Sequence, residues 1–573
     1  MGRSAGHDRV ATGGGSARWT VHVASPLKRA CSWAGAVIAT LTLVALSANI
    51  PAAQAIPPPS VDPAMVPPDG RPGPEEAMRR SNSCSSPITV RNPDVSEIAP
   101  GFNLLNISQA WKYSTGNGVS VAVIDTGVTP NPRLPVVAGG DYIMGDDGLQ
   151  DCDAHGTIVS SIIAAAPLGI LPMPRPLPAT PAFPPLAGPA PATEAPAPPV
   201  EVPPPVPPPP PPSPVTITQT VPPPPPPGEA GAMAPSQGPP DPQTEDEPAV
   251  PPPPPGAPDG VVGVAPHATI ISIRQSSRAF EPVHPRPAAN AEDRVKAGTL
   301  NTVARAVVHA ADMGAKVINI SVTACLPAAA AGDQRALGAA VWYAATVKDA
   351  VIVAAAGNDG EAGCDNNPMY DPLDPADPRD WHQVKFVSAP SWFSDYVLSV
   401  GAVDATGAAL AKSMAGPWVA AAGPGTHIMG LSPQGGGPVN AYPPSRPGEK
   451  NMPFWGTSFS AAYVSGVAAL VRAKFPDLSA HQVINRIVQS AHNPPSGVNN
   501  RVGYGLVDPV AALTFNIPPG DRLPPGAQSR VITPAPPPPP ADHRARNIAI
   551  GFVGAVAAGI LVTTIAARLR RSR

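Results

Sequence analysis

No charge of either sign dominates these 573 residues: 38 Lys and Arg stand against 41 Asp and Glu, a formal net charge of −3. A chain so nearly balanced has no basic footprint for nucleic acid, and no nucleic-acid partner is expected. Cysteine is scarce, with five in all, and none stands near histidine at a zinc-binding spacing. No metal and no cofactor are expected. No internal repeat of motif length is present, which argues against a repeat array. Asp-Thr-Gly occurs once, at 125–127, whereas aspartic proteases need two such motifs.

What the chain has in excess is proline, 88 residues, most of them in two segments. Residues 167–260 hold 40 prolines among 94 residues, and a second proline-rich stretch runs over 518–542. Proline lacks an N–H and has a fixed φ, so neither segment can build a helix or a central strand. Both are expected to be polyproline II or irregular. The first is read as a tolerated surface insertion, since lengthening a loop costs little. The alternative is a lid, spacer or partner ligand. The N-terminus carries Lys28 and Arg29, an apolar stretch over 34–50, and Ala53-Gln54-Ala55. That pattern reads as a signal peptide over 1–55, the alternative being a retained anchor. Near the other end, residues 548–567 are 20 in a row without charge, followed by Arg568, Arg570, Arg571 and Arg573. Twenty helical residues reach about 30 Å, enough for one membrane span. The arginines place the tail 568–573 in the cytoplasm and everything before the span outside. Gly551, Ala555 and Gly559 share one face and offer a packing surface for another membrane helix.

Three segments carry chemistry, in the order Asp, His, Ser: VAVIDTGV around Asp125, DCDAHGTIV around His155 and FWGTSFSAAYVSGVAAL around Ser458. A serine hydroxyl is a weak nucleophile at neutral pH. His155 must take its proton, and Asp125 must orient the imidazole and stabilise the imidazolium. VAVID reads as a buried parallel strand with its carboxylate at the C-terminal end. The stretch after His155 reads as a helix start, and Ser458 as the N-terminus of a long apolar helix, where backbone N–H groups suit an oxyanion. DAVIVAAAGND reads as another buried strand, ending in Asn358, whose amide is the candidate second oxyanion donor. Alone, Gly456-Thr457-Ser458 would be a helix cap and Asn358 a turn residue. The ordered set of four argues for catalysis.

These segments resemble the subtilase superfamily of serine proteases. GVVGVAPHATIISIR (260–274), VINIS (317–321) and GYGLVDPVAAL (503–513) also resemble segments of that family. The resemblance covers about 98–513 and implies a subtilisin-like α/β fold: a doubly wound parallel sheet with helices on both faces, here with one C-terminal transmembrane helix. One departure is Ile158, where many subtilases have a second histidine. Cys31 leaves with the signal peptide. Of the remaining four, Cys325 follows the VINIS strand and Cys364 the VIVAAAGN strand, two strands expected to be neighbours. Pairing them leaves Cys84 with Cys152.

The layout as a whole resembles the mycosins, membrane-anchored subtilases of type VII (ESX) secretion systems. The proline-rich loop most resembles the member serving the fifth ESX system. The expected organisation is a signal peptide (1–55), an N-terminal extension (56–99), a protease domain (100–517) interrupted by 167–260, a linker (518–547), a span (548–567) and a basic tail. The resemblance implies a serine endopeptidase at the outer side of the cell membrane, with protein substrates and secretion-complex components as partners. The alternative is a structural subunit of that complex whose proteolysis is incidental. The extension is too proline-rich for a compact inhibitory sheet, so it is expected to brace the domain and leave the cleft open.

Overall fold

The computed structural model describes residues 58–168, 247–285, 297–369, 381–524 and 544–571, apart from 135, 255–256, 362, 445, 447 and 496. The expected signal peptide and most of the proline-rich insertion lie outside the described residues. The chain divides into two units, 1–524 and 525–573.

The first unit is built on a seven-stranded sheet, labelled here in chain order: β1 Ser120–Asp125, β2 Val136–Asp141, β3 Thr269–Arg274, β4 Val317–Ile320, β5 Val351–Ala355, β6 Val397–Val403 and β7 Val419–Pro424. The spatial order is β7-β6-β5-β4-β1-β3-β2, and every pairing is parallel. β3, β4, β5 and β6 are buried at every position. That is what a parallel sheet covered on both faces requires, and why these segments read as continuous apolar runs. The covering helices are α1 His155–Ala164, α2 Leu300–Asp312, α3 Arg335–Trp342, α4 Thr457–Lys474, α5 Ala480–Gln489 and α6 Pro509–Thr514. α4 is buried along almost its whole length. Its Ala461, Ala462, Ala468 and Ala469 let it lie close on β4, β5, β6 and β7. Ile158 packs fully buried in the main core.

β4 and β5 are neighbours in register, Val317 beside Val351. Just past their ends the structure joins Cys325 to Cys364, and Cys84 is joined to Cys152. Both pairings follow the expected connectivity.

The expected extension is bonded along its length to the sheet-bearing unit. Asp69 pairs with His309 of α2, Glu75 accepts from Thr299 and Asn301, and Met78–Arg80 pairs antiparallel with Phe280–Pro282. Asn440 holds the extension further on: its Oδ1 accepts from Val90 N–H, and its Nδ2 donates to the carbonyls of Val90 and Pro93. The insertion differs from expectation at its C-terminal end. Ala249–Val250 forms a short strand on Thr89–Val90, and Asn451 Nδ2 donates to Glu247 O. The pairing falls on Ala249 and Val250, which interrupt the prolines and keep the N–H that a ladder needs. The first linker residues likewise pack on the domain. Pro519, Gly520 and Arg522 offer carbonyls to Asn485, Gln482 and Ser479.

The second unit contains α7 Arg544–Arg571, 28 residues over the expected span. Its described side chains begin at 555 and are exposed. Among the described residues, no helix is long and apolar enough to cross a membrane.

Candidate active site

The carboxyl ends of β1, β4 and β5 converge on the N-terminus of α4. This is the rim where open α/β sheets place their sites. β1 ends in Asp125, which is 0% exposed. Its Oδ1 accepts from Thr126 N–H and from His155 Nδ1, each at 2.7 Å. The acceptor is a carboxylate, so the imidazole proton sits on Nδ1 and Nε2 is the lone-pair nitrogen. His155 is the first residue of α1, and its side chain is 24% exposed. Gly156 makes the approach possible: a Cβ there would lie 2.1 Å from Gly127 O and 3.2 Å from Asp125 Cβ. Burial pulls the His155 pKa down, but the Asp125 charge and hydrogen bond, with the charge of Asp151, carry it above the ordinary value.

Ser458 is the second residue of α4, half-buried, and its N–H has no intrahelical acceptor. The next residue, Phe459, lies with its ring 5.3 Å from the His155 ring. Ser458 Oγ donates to Ser321 O at 2.9 Å and makes no hydrogen bond to His155. A staggered rotation about χ1 is the motion that would redirect it. Such contacts often tighten only when substrate is bound.

Asn358 follows β5 and meets the residue before the serine. Its Oδ1 accepts from Thr457 N–H at 2.9 Å and Thr457 Oγ1 at 3.0 Å. Gly456 turns the chain into α4 at φ 134°, and a Cβ there would stand 3.0 Å from Asn358 Nδ2. Nδ2 donates to Glu361 Oε2 at 3.1 Å. An amide nitrogen has two hydrogens, so one remains for a further acceptor.

The structure thus brings Asp125 and His155 into contact and sets Ser458 and Asn358 at the same helix end. Two contributors are absent from the sequence reading. Ser321 bonds Ser458 in both directions, its Oγ donating to Ser458 O at 3.0 Å. Its place at the end of VINIS marks the strand but not the contact. Asp151 is buried four residues before His155, outside the N-cap position that Ala154 holds, so no capping pattern marks it.

Residues 242–505 match the Subtilase family (peptidase S8), a range holding Asn358 and Ser458 and starting after Asp125 and His155. Mycosin-2 of Mycobacterium tuberculosis (strain ATCC 25618 / H37Rv) is 84% identical over 552 residues, covering 96% of this chain and 100% of that protein. The chain belongs to the mycosin family. Mycosins are subtilases, and this mycosin is a serine endopeptidase of that family. Mycosin-5 of the same organism is 49% identical over 574 residues, covering 95% of this chain and 98% of that protein. The expected likeness to the fifth-system member is therefore corrected, since Mycosin-2 is far more similar. A long proline-rich loop is low in information, so it was a poor guide within the family. Among solved structures, a chain of the periplasmic assembly of the ESX-5 inner membrane complex is 44% identical. It has TM-score 0.63, with 85% of this chain and 100% of that chain covered.

Proposed function

We propose that this mycosin hydrolyses peptide bonds of exported proteins on the outer side of the cytoplasmic membrane, as part of a type VII secretion system. The observation that carries the reading is the 2.7 Å Asp125–His155 contact facing the helix end that holds Ser458. In this mechanism Ser458 Oγ attacks the scissile carbonyl while His155 Nε2 takes its proton. The same proton then goes to the leaving amine, which departs and leaves an acyl-enzyme. Water, activated by His155, releases the acid. Asp125 stays ionised and stabilises the imidazolium. The N–H of Ser458 and the second Nδ2 hydrogen of Asn358 hold the oxyanion. Residues 548–567 serve as the membrane anchor with the C-terminus inside, supported by the 20 uncharged residues and the arginines that follow. The test is covalent labelling of the full-length protein by a serine-directed fluorophosphonate. Labelling should map to Ser458 and vanish in Ser458→Ala, and labelling elsewhere would reject the mechanism.

A second reading, assembly of the secretion complex, is favoured by the likeness to a chain within a solved inner membrane assembly. Complementation of a deletion strain with Ser458→Ala separates the two. Secretion restored without cleavage assigns assembly as the primary role.

A further inference from the structure

The loop before His155 contains a carboxylate that the mechanism above does not use. Asp151 is 6% exposed and accepts five hydrogen bonds. Oδ1 receives Thr126 Oγ1 at 2.9 Å, Asp153 N–H at 3.1 Å and Ala154 N–H at 2.8 Å. Oδ2 receives Thr157 N–H at 2.8 Å and Thr157 Oγ1 at 2.7 Å. The directions are fixed by the rest of the network. Thr126 Oγ1 already accepts from Gly156 N–H, and Thr157 Oγ1 from Thr129 N–H. Both hydroxyl hydrogens therefore point at Asp151, and all five groups around it are donors.

The network joins the two chain segments that must meet for catalysis. Thr126 and Thr129 follow Asp125 at the end of β1, while Ala154, Gly156 and Thr157 surround His155. The N–H groups on both sides of His155 are pinned, Ala154 to Asp151 and Gly156 to Thr126. Ala154 sits at φ 68°, a left-handed conformation that a non-glycine residue holds only when its surroundings over-determine it. Thr126 N–H in turn holds the catalytic Oδ1 of Asp125.

Resting on the protease reading, we infer that Asp151 is a positioning residue: it sets His155 against Asp125 and adds a buried negative charge that favours the imidazolium formed during catalysis. The other charged groups that act on His155 are Asp125 at the end of β1, Asp153 in its own loop and Arg278 after β3, and Tyr442 on the short strand Ala441–Tyr442 interacts with Asp151 and its neighbours. Asp153 is tied to Ser277 Oγ and to Arg278 N–H. Arg278 opposes the imidazolium, and Tyr442 is held neutral by burial. Burial pushes the Asp151 carboxyl up to about 7, but all five groups around it are donors and none accepts a carboxyl proton, which holds it ionised.

The test uses full-length protein in detergent, as wild type, Asp151→Asn and Thr157→Val. Asp151→Asn removes the charge and turns an NH2 toward N–H donors. It should lower kcat by about 10–100-fold with KM nearly unchanged, the scale of a small misplacement at a reacting centre. Its acid limb should move to lower pH. Thr157→Val keeps the charge, so it should lower kcat less and leave the limb in place. If Asp151→Asn fails to fold, Thr157→Val decides, and unchanged kcat there overturns the inference. An Asp151→Asn enzyme with wild-type kcat, or with reduced kcat and an unmoved acid limb, also overturns it. Titration of ring-labelled His155 by NMR in a Ser458→Ala background gives an answer independent of turnover. A lowered His155 pKa in Asp151→Asn supports the inference even if no peptide is cleaved, and an unchanged one rejects it. Absence of turnover by the wild type would count against the protease reading alone.

Discussion

At single residues, Asn358 combines two roles that substitutions can separate. Its Oδ1 caps Thr457 at the start of α4, and its Nδ2 faces Glu361 with one hydrogen left over. Asn358→Asp keeps the acceptor for Thr457 but supplies no donor and sets a carboxylate against Glu361, so it should lose at least about 10²–10³ in kcat, the usual effect of deleting one oxyanion donor, and should also lower stability through the like charges. Full activity on a peptide substrate would exclude Asn358 from that role. His155 makes a second expectation. Its pKa lies above the ordinary value. Less than half of it is therefore the neutral base at pH 6.5, and kcat/KM should reach half its maximum above that pH and plateau on the alkaline side. A pH–rate profile with its midpoint below 6.5 would contradict the charge arrangement. Asp125 and Ser458 were readable because each ends or begins an element whose apolar pattern is strong. Ser321 was missed because its partner Ser458 is 137 residues away on another element, and Asp151 because its bond to Thr126 ties it to a segment 25 residues earlier.

Among elements, the proline-rich insertion is closed by one side chain. Arg133 Nε donates to Ala166 O at the entrance, while Nη1 pairs with Asp259 at 2.7 Å and Nη2 donates to Val261 O at the exit. Val264 and Ala265 N–H also return to the carbonyls of Ile162 and Ile163. The insertion therefore leaves and re-enters at nearly one point, which is why its length matters little to the core. Deleting 169–246 with a short Gly/Ser bridge should leave a folded enzyme with peptidase activity. Loss of folding would show that those residues belong to the domain. The retained end is different, because 249–250 pairs with the extension and Asp259 with Arg133. Arg133→Ala strands a largely buried carboxylate and should cost about 2–4 kcal/mol, read as a lower denaturation midpoint at constant m-value.

On the scale of the molecule, residues 58–99 brace the domain. Their described hydrogen bonds and ion pairs reach α2, the strand at 280–282, the loop at 152 and Asn440, and none reaches Asp125, His155, Asn358 or Ser458. Cys84–Cys152 closes a separation of 68 residues onto the His155 loop. A covalently held brace is not released by cutting, so the mature enzyme should cleave a peptide without a lag. N-terminal sequencing should find the extension intact in active protein. Activity that appears only after cutting within 56–99 would make the extension an inhibitor.

The sequence alone determined the buried strands, the order of the Asp125, His155 and Ser458 segments, the placement of Ser458 at a helix start and the two cysteine pairs. Each depends on local pattern or on strands adjacent in an expected sheet. A continuous apolar run fits a strand buried on both faces, and the resemblance of the motifs at the strand ends to subtilases supplied the fold class. Its likeness within the family was misjudged because it rested on proline-rich sequence, whose composition carries little information. The tertiary structure decided the rest. The resting bond from Ser458 to Ser321, the engagement of Thr457 by Asn358, the bond from Thr126 to Asp151 and the Arg133 closure join residues that no sequence period relates. A hydrogen bond depends on distances of tenths of an ångström, and those are set by how strands, helix ends and loops pack together in three dimensions.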